Sequence, residues 1–249
     1  MKTIGIIPAR YDSRRFRGKV LADLCGKPVI RHVYEGALKS RFLDELVVAC
    51  DDVRIKRAVE SFGGKAFLTS TSHKTGTDRV IEIASSIESD YVINIQGDEP
   101  FMTGELLDSV IDALYEDREI CMATPIRRII SSQELSNPGV VKVVVDKDNF
   151  AIYFSRSCIP FPRDSLDLQS LLKHRAFYGH IGLYGYRRDF LLGFNNLPRS
   201  ELEEIEELEQ LRIIANGYRI KTVITDYHGV GIDTPKDLER AVEILKRNV

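Results

Sequence analysis

Residues 4–19 read IGIIPARYDSRRFRGK and join a short apolar run to a loop crowded with basic side chains. Ile4 to Pro8 has the length and composition of a buried parallel strand. Because open α/β sheets bind ligands at the carboxyl ends of their strands, the loop that follows is expected at the mouth of a site. Its basic residues, offset only by Asp12, predict an anion site: Arg10, Arg14, Arg15, Arg17 and Lys19.

The chemistry of this loop favours a polyphosphate over a carboxylate. Gly18 lets backbone amides come close to a ligand, and arginine and lysine offer charge-assisted hydrogen bonds to phosphate oxygens. Some of these arginines, Arg14 and Arg17 among them, could instead only solvate a surface loop. Neither GxxxxGK[ST] nor GxGxxG follows the first strand, which disfavours a P-loop or a dinucleotide oxidoreductase and leaves a nucleoside triphosphate.

Composition limits the function further. The 249 residues carry a net charge of -2, with 43% hydrophobic and 29% charged residues, as in ordinary globular proteins. No apolar stretch approaches the length of a membrane span, so the sequence predicts a cytoplasmic protein. A pI near 6.2 disfavours nucleic-acid binding. The widely spaced cysteines disfavour a metal knuckle or a disulfide framework: Cys25, Cys50, Cys121 and Cys158.

Up to about residue 125, strands alternate with helices, which predicts a mostly parallel central sheet flanked by helices. The predicted strands are Thr3 to Pro8, Leu46 to Cys50, Lys65 to Leu68, Tyr91 to Ile95 and Ile120 to Thr124. The second half loses this alternation and predicts a smaller mixed-sheet lobe, with a polar loop over 156–175. Its strands are expected at Val140 to Val145, Ala151 to Ser155 and His180 to Tyr186.

Two helices are predicted near the end of the chain. The first is an acidic helix from Glu201 to Asn216, stopped by Gly217. Its inward residues would be Leu202, Ile205, Leu208, Leu211 and Ile214. The second opens with Thr234 as N-cap, Pro235 in the first turn and Asp237 three residues after the cap.

Acidic residues supply the second part of a candidate site. After the predicted strand Tyr91 to Ile95 comes Gln96-Gly97-Asp98-Glu99-Pro100, which places two carboxylates at another strand's carboxyl end. Magnesium binds through one or two carboxylates plus substrate phosphate oxygens, so Asp98 could be its ligand. The alternative is a turn with helix-capping acids. Asp233, at the entrance of the last helix, could likewise be a ligand or only a capping acid.

Several motifs together resemble the 3-deoxy-manno-octulosonate cytidylyltransferases, the CMP-Kdo synthetases. They include IPARYDSRRFRGK (7–19), HKTGTDR (73–79), INIQGDEP (93–100), HIGLYGYR (180–187), IEELEQLR (205–212) and GIDTP (231–235). The resemblance implies an α/β fold like that of the nucleotide-diphospho-sugar transferases. It implies one nucleotidyltransferase domain over 1–249, with a nucleotide-binding half to about 125 and a sugar-binding and dimerisation half over 126–249. The family works as a cytoplasmic homodimer.

The resemblance also implies a reaction and its residues. CTP and the acidic sugar Kdo would give CMP-Kdo and pyrophosphate for lipopolysaccharide synthesis, with Mg²⁺ on Asp98 and Asp233. The catalytic residues would be Arg10, Lys19, Asp98 and Asp233. Nucleotide binding would use Arg10, Ser13, Arg15, Lys19, Thr75, Gly76, Thr77, Asp78, Arg79 and Asp98. Sugar binding would use Gln96, Arg156, Arg163, His180, Tyr184, Glu209 and Gln210.

The chain departs from the family pattern mainly in the basic loop. Arg17 stands where proline is common, Val20 replaces a later proline, and Asp12 and Arg14 add charge. Alternative substrates are 8-amino-Kdo, another acidic sugar or a neutral sugar phosphate. An alternative of another class is a non-catalytic nucleotide-binding module, against which the intact acids Asp98 and Asp233 argue.

Overall fold

The computed structural model describes residues 1–13, 15–163, 172, 174 and 176–247. By contacts the chain divides into two compact units, one of Met1–Asp108 with His228–Val249 and one of Ser109–Tyr227. The segment from His228 onward therefore packs in the same unit as the beginning of the chain. The expected nucleotide-binding and sugar-binding halves, which meet near residue 125, stay a prediction.

The first unit contains a parallel sheet in the order β5–β4–β1–β6. Its strands are β1 (Thr3–Ala9), β4 (Glu45–Cys50), β5 (Ala66–Leu68) and β6 (Tyr91–Ile95). In register, Gly5 of β1 lies opposite Leu46 of β4 on one side and Ile93 of β6 on the other. A parallel sheet covered on both faces needs near-continuous apolar strands, which explains the fully buried runs of β1, β4 and β6.

Helices and a small hairpin complete the first unit. The helices are α1 (Val29–Ala37), α2 (Val53–Ser61), α3 (Gly76–Ser86), α4 (Gly104–Glu116), within which the division falls, and α9 (Pro235–Arg247). The hairpin pairs β2 (Asp23–Leu24) with β3 (Lys27–Pro28). Ile232 and Ala241 share an apolar cluster with Leu24 and Val29, which holds the C-terminal segment in this unit.

The second unit is built around β7 (Met122–Arg128). This strand pairs antiparallel with β10 (Tyr178–His180) and β11 (Leu183–Arg187), and parallel with β12 (Ile220–Thr225). β8 (Lys142–Val145) and β9 (Ala151–Ser155) extend the sheet antiparallel beyond β10. Its helices are α5 (Ser132–Ser136), α6 (Arg188–Gly193), α7 (Glu201–Glu206) and α8 (Gln210–Ala215). The α/β prediction with a mixed-sheet lobe is confirmed.

The predicted helix from Glu201 to Asn216 is wrong as a single element. Glu207 adopts a left-handed conformation, with φ of 51°, and separates α7 from α8. Leu202 and Ile205 were expected inside but are 42% and 79% exposed. Glu203 is buried instead, and its Oε2 accepts a 2.7 Å hydrogen bond from Arg212 Nε. The buried ion pair of Glu203 and Arg212 therefore takes the place that was expected for the apolar side chains of Leu202 and Ile205.

Other differences are smaller. The strand expected over His180 to Tyr186 is two strands, β10 and β11, and β12 was not predicted. Ile213, rather than Ile214, is fully buried on α8. Half of the predicted polar loop over 156–175 lies outside the described residues. All four cysteines are free thiols. Within the described ranges, no helix is both long and apolar enough to cross a membrane.

The two predicted helix ends near the C-terminus are confirmed. Gly217 follows α8 with φ of 81°. At the start of α9, the Asp237 carboxylate accepts a 2.8 Å hydrogen bond from Thr234 N, and Thr234 Oγ1 accepts one of 3.3 Å from Asp237 N. This reciprocal capping box occupies Asp237 and Thr234, so capping does not require the Asp233 side chain.

Candidate active site

A cavity of about 260 Å³ lies in the first unit, at the carboxyl ends of β1 and β6. The basic loop follows β1 and the acidic turn follows β6, and these neighbouring parallel strands end at the same edge of the sheet. The two segments therefore meet there, as the sequence predicts. The predicted site residues that line it are Arg10, Arg15, Lys19, Thr75, Gly76, Arg79, Gln96, Asp98 and Asp233.

Lys19 is the centre of the cavity's charge. Its Nζ donates hydrogen bonds to Asp98 Oδ2 and to Asp233 Oδ1, the latter 2.9 Å long. Burial by itself would lower the pKa of Lys19, but the charge of Asp98 and the hydrogen bonds to both carboxylates outweigh it and raise the pKa. Lys19 is therefore a fixed positive charge between two acids that lie far apart in the sequence.

The acidic turn is held by backbone contacts. Asp98 O accepts a 2.8 Å hydrogen bond from Ile232 N, which links the turn after β6 to the segment that carries Asp233. Gly97 cannot carry a side chain here without a shift, because a Cβ would lie 2.9 Å from Pro8 O. The glycine in the QGDEP motif thus lets β1 and the Asp98 turn approach each other. Arg15 Nη2 lies 2.9 Å from Asp233 Oδ1 and adds a second positive charge.

The start of α3 forms another wall of the cavity. Thr75 is its N-cap and makes a capping box with Asp78, whose carboxylate accepts a 3.0 Å hydrogen bond from Thr75 N. The Asp78 side chain is thereby engaged in capping, while Thr75 and Gly76 line the cavity. Thr77 is buried, and neither it nor Asp78 or Ser13 lines the cavity. A helix N-terminus beside basic residues suits an anion.

Sequence reasoning missed two lining residues, His73 and Lys74. His73 Nε2 hydrogen-bonds Glu82 Oε2, and Glu82 also accepts a 3.0 Å hydrogen bond from Ser70 N. Because Glu82 fixes one ring nitrogen, the orientation of the imidazole at the cavity is set. Both residues belong to the quoted HKTGTDR motif, so the available signal was their place just before α3.

The unusual charges of the basic loop largely satisfy each other. Arg17 Nε donates a 2.8 Å hydrogen bond to Asp12 Oδ1, and the two side chains are 71% and 76% exposed. Arg17 does not line the cavity, whereas Val20 does and is buried. Arg14 lies outside the described residues. The arginine that replaces a common proline therefore neutralises the loop's extra acid.

In the second unit, the predicted sugar residue Arg156 is bound to backbone. Its Nε donates 2.8 Å to Glu206 O and its Nη1 donates 3.2 Å to Pro138 O. Arg156 O in turn accepts a 2.5 Å hydrogen bond from Lys142 Nζ, and burial lowers the pKa of this fully buried lysine. Sequence reasoning missed Lys142. Arg163 is exposed, at the end of the described range.

The other predicted sugar residues of this unit form one polar cluster. The His180 and Tyr184 rings lie 5.3 Å apart, and Tyr184 Oη donates to Gln210 Oε1 at 3.4 Å. Gln210 is 4% exposed, and its Nε2 has no hydrogen-bond partner among the described residues. Tyr184, Glu209 and Gln210 line a cavity of about 10 Å³, room for one water molecule. Gln96 belongs to the first unit.

The protonation of His180 follows from its partner. Thr124 Oγ1 donates its one proton to Leu183 O at 2.7 Å, so it must accept from His180 Nε2, which lies 2.8 Å away. The ring therefore carries its proton on Nε2. Burial lowers the pKa of His180 to about 3, which keeps the imidazole neutral and leaves Nδ1 as an acceptor.

A metal site of three or more His, Cys, Asp or Glu side chains is not found within the described ranges. The pair Asp98 and Asp233 nevertheless fits magnesium, because both carboxylates converge on one cation, the Lys19 ammonium. Magnesium is commonly held by one or two carboxylates together with phosphate oxygens of the substrate. The donor set of this cavity is therefore suited to a metal ion that arrives with a triphosphate.

Comparison with known proteins identifies the family. Residues 4–221 match the cytidylyltransferase family model. The 3-deoxy-manno-octulosonate cytidylyltransferase of Geotalea uraniireducens is 49% identical, over 99% of this chain and 100% of that relative. The one of Fusobacterium nucleatum is 45% identical, over 100% and 98%.

Solved structures agree with this. A CMP:2-keto-3-deoxy-manno-octonic acid synthetase complexed with CTP superposes with a TM-score of 0.93 at 40% identity, covering 100% of both chains. A 4-diphosphocytidyl-2C-methyl-D-erythritol synthase from Anaerococcus prevotii, 17% identical with a TM-score of 0.66, shares the fold. The resemblance seen in the motifs is confirmed, and the chain belongs to the cytidylyltransferase family, among the 3-deoxy-manno-octulosonate cytidylyltransferases.

Proposed function

We propose that the chain transfers the cytidylyl group of CTP to the anomeric hydroxyl of Kdo, giving CMP-Kdo and pyrophosphate for lipopolysaccharide synthesis. The observation that carries this proposal is the junction of Lys19 with Asp98 and Asp233 inside a basic cavity of the first unit. The sugar oxygen would attack the α-phosphorus in line and release its proton to solvent. The bond from that phosphorus to the oxygen that bridges to the β-phosphorus would break as pyrophosphate leaves with that oxygen.

Binding of the triphosphate is assigned to the basic walls of the cavity. Arg10, Arg15 and Lys19 offer fixed positive charges, and the N-terminus of α3 adds the backbone N–H group of Gly76. Transfer of a phosphoryl or nucleotidyl group asks little covalent chemistry of a protein, so positioning and electrostatic stabilisation dominate. In this assignment Lys19 neutralises the charge that builds on the α-phosphate as it becomes five-coordinate.

Magnesium is assigned to Asp98 and Asp233. When bound, it would neutralise phosphate charge and lower the pKa of the sugar hydroxyl. The support is the chemistry of the pair, two carboxylates that share one cation. Since that cation is the Lys19 ammonium, the lysine and the metal compete for the same carboxylate oxygens. We infer that Lys19 moves toward the phosphates when the metal arrives with CTP.

Sugar recognition is assigned to the His180 cluster of the second unit, and the contact of Gln96 with the sugar stays a prediction from the family resemblance. A sugar acid with many hydroxyls needs mixed donors and acceptors as well as arginine for its carboxylate. The neutral imidazole supplies an acceptor at Nδ1. Gln210 Nε2, which no described residue accepts from, supplies a donor. Arg156 and Arg163 are the candidate partners of the sugar carboxylate. Arg156 donates three of its five N–H groups to backbone carbonyls, which leaves two for a ligand.

We extend the proposal to a cytoplasmic homodimer, as the family resemblance implies. Four free thiols suit a reducing compartment. Three large apolar side chains of the second unit are well exposed and suit a subunit contact: Ile152, Phe161 and Ile205. Sedimentation of the purified chain at micromolar concentration tests this, since a monomer there would refute the dimer.

Pyrophosphate release tests the reaction. The chain is assayed with each of the four ribonucleoside triphosphates against Kdo, 8-amino-Kdo, other acidic keto sugars and a neutral sugar phosphate. We expect turnover with CTP and Kdo that depends on Mg²⁺. Robust turnover with UTP or with a neutral sugar phosphate instead would refute the substrate, and tight CTP binding without turnover would identify a non-catalytic module.

The metal assignment has its own variant. Asp98→Asn keeps the shape of the side chain but removes its charge, so it should retain the fold and lose most Mg²⁺-dependent activity. A circular dichroism spectrum like that of the wild type would establish the fold. An unchanged rate in this variant would remove Asp98 from the metal site.

A further inference from the structure

Asp51 joins two walls of the cavity without lining it. It follows β4 directly, and its side chain is 16% exposed. Oδ1 accepts a 2.9 Å hydrogen bond from Tyr11 N, and Oδ2 accepts one of 2.9 Å from Arg79 Nη2. One carboxylate thus holds the loop after β1 and the first turns of α3.

On the side of the basic loop, Asp51 fixes the residue that closes it. Tyr11 O accepts hydrogen bonds from Ser13 N at 3.0 Å and from Gly18 N at 2.8 Å. These bonds bring the start of the loop against its end, immediately before Lys19. Gly18 is left-handed, with φ of 70°, and a Cβ there would lie 3.2 Å from the Tyr11 ring. Displacement of Tyr11 would therefore be transmitted to Lys19.

On the side of α3, Asp51 neutralises a buried guanidinium. Arg79 is 4% exposed, and its Nη1 donates to Thr69 Oγ1 at 2.8 Å and to Ser70 O at 3.0 Å. Both Nη atoms are therefore engaged by the protein, although Arg79 lines the cavity. The guanidinium ties the loop after β5 to the helix whose first residues, Thr75 and Gly76, face the same cavity.

The neighbouring aspartate shows that Asp51 is not a helix cap. Asp52 is the N-cap of α2 and accepts a 2.8 Å hydrogen bond from Arg54 N. Local capping is therefore complete without Asp51, whose two partners lie 40 and 28 residues away in sequence. Because both hydrogen-bond donors of this mostly buried carboxylate are distant in sequence, Asp51 stabilises the tertiary arrangement of the segments that carry them.

We propose that Asp51 is a positioning residue for nucleotide binding, and that Arg79 acts with it as the second half of one brace. The brace fixes the distance between the phosphate loop and the N-terminus of α3, so that both meet one triphosphate. This inference rests on the proposed function, in which the cavity binds CTP. It predicts that loss of the Asp51 carboxylate raises KM for CTP. Asp51 would act by positioning Lys19 and the start of α3, with no contact of its own to the substrate.

The test uses Asp51→Asn in the full chain, with CTP binding measured by titration calorimetry in the absence of Kdo. The amide oxygen can still accept from Tyr11 N, but the amide nitrogen cannot accept from Arg79. We expect the Kd for CTP to rise roughly tenfold, with KM for CTP rising in parallel and kcat at saturating CTP falling by less than about threefold. KM for Kdo should not change.

The matched control is Asp108→Asn. Asp108 is a carboxylate of the first unit whose side chain is 5% exposed, more buried than that of Asp51. It accepts hydrogen bonds from Ser40 Oγ at 2.6 Å and Arg41 Nε at 2.9 Å and does not line the cavity. We expect it to lower Tm while leaving the Kd for CTP unchanged. An equal weakening of CTP binding by both variants would mean that the effect is general destabilisation, and would overturn the proposal.

Arg79→Lys is the second variant, and it tests the brace even if Asp51→Asn does not fold. It should weaken CTP binding to a similar degree. Arg79 reaches Asp51 with Nη2 and reaches Thr69 and Ser70 with Nη1, and the single nitrogen of lysine cannot reproduce that fork. In a double-mutant cycle the two effects should not add, since each breaks the same brace. Wild-type Kd in both single variants overturns the positioning role alone, whereas failure of the wild-type chain to bind CTP overturns the proposed function and this inference together.

Discussion

Lys19 Nζ lies 2.9 Å from Asp233 Oδ1, although 214 residues separate the two in sequence. The contact joins the loop after the first strand to the residue at the entrance of the last helix. Segments near the beginning and the end of the chain thus place a positive and a negative side chain in the same cavity. Any cation that binds Asp233 in this cavity must therefore compete with Lys19 for the carboxylate.

Removal of that lysine should expose the two carboxylates to metal. In Lys19→Met, Asp98 and Asp233 face each other without a cation, so divalent ions should bind the nucleotide-free protein more tightly. We expect the Kd for Mn²⁺ to fall on the order of tenfold, because a competing positive charge is gone. The kcat should fall about 10²-fold, because the charge that faces the α-phosphate is gone. Electron paramagnetic resonance of Mn²⁺ measures the first and pyrophosphate release the second.

Lys74→Met serves as the control for this experiment. Lys74 lines the same cavity but is not joined to the two acids, so its loss should leave the Kd for Mn²⁺ near that of the wild type. If Lys19→Met also left Mn²⁺ binding unchanged, competition between lysine and metal would be disproved.

Two arginines of one loop should behave differently. Arg15 pairs with Asp233 and lines the cavity, so Arg15→Ala should raise KM for CTP roughly tenfold. Arg17 pairs with Asp12 in solvent, and exposed pairs contribute little, so Arg17→Ala should leave KM within about twofold. Initial rates at varied CTP, at two salt concentrations, compare the two. Equal effects would place Arg17 on the nucleotide.

The core of the candidate site could be predicted because it obeys a rule of topology. The carboxyl ends of β1 and β6 meet at one edge of the parallel sheet, so residues 10–19 and Asp98 had to be neighbours. Asp233 could be added only by family resemblance, since spacing alone does not show where the last helix packs. Asp51 escaped prediction because an acid just before a helix reads as a cap, and its distant partners leave no periodic signal.

The fold of the first unit was predictable because its strands are buried on both faces. Such strands appear in the sequence as short, nearly continuous apolar runs. The acidic helix was not. Periodicity assigns Leu202 and Ile205 to the core, but the left-handed Glu207 breaks the helix and Glu203 takes the inward position with Arg212. The stabilisation of a buried charge depends on a partner that tertiary structure supplies, which an apolar pattern cannot reveal.

His180 should make stability depend on pH. Burial lowers its pKa from 6.5 to about 3, so below pH 6.5 the unfolded chain takes up a proton that the folded chain does not. Stability should therefore fall as pH decreases from about 6.5 toward 3, by up to about 1.4 kcal/mol per pH unit from this group. In His180→Gln, urea unfolding should show a shallower pH dependence over that window.

His174→Gln is the corresponding control, because this histidine is exposed. It should keep the pH dependence of the wild type. A wild-type slope in the His180 variant as well would show that other groups set the acid sensitivity, and would argue against a neutral imidazole in the sugar cluster.

Gly97→Ala should test how tightly the Asp98 turn must fit against β1. A Cβ at Gly97 would lie 2.9 Å from Pro8 O and 3.4 Å from Ile30 Cδ1, so the turn must move away from the strand. We expect kcat to fall tenfold or more, since displacement of a site residue by about 1 Å can cost that much, with about 1–3 kcal/mol lost in stability. Gly193→Ala, where nothing lies within 4 Å of the added carbon, should leave both unchanged. A fully active Gly97→Ala enzyme would show that the position of Asp98 tolerates movement, which a metal ligand facing a transferring phosphate does not.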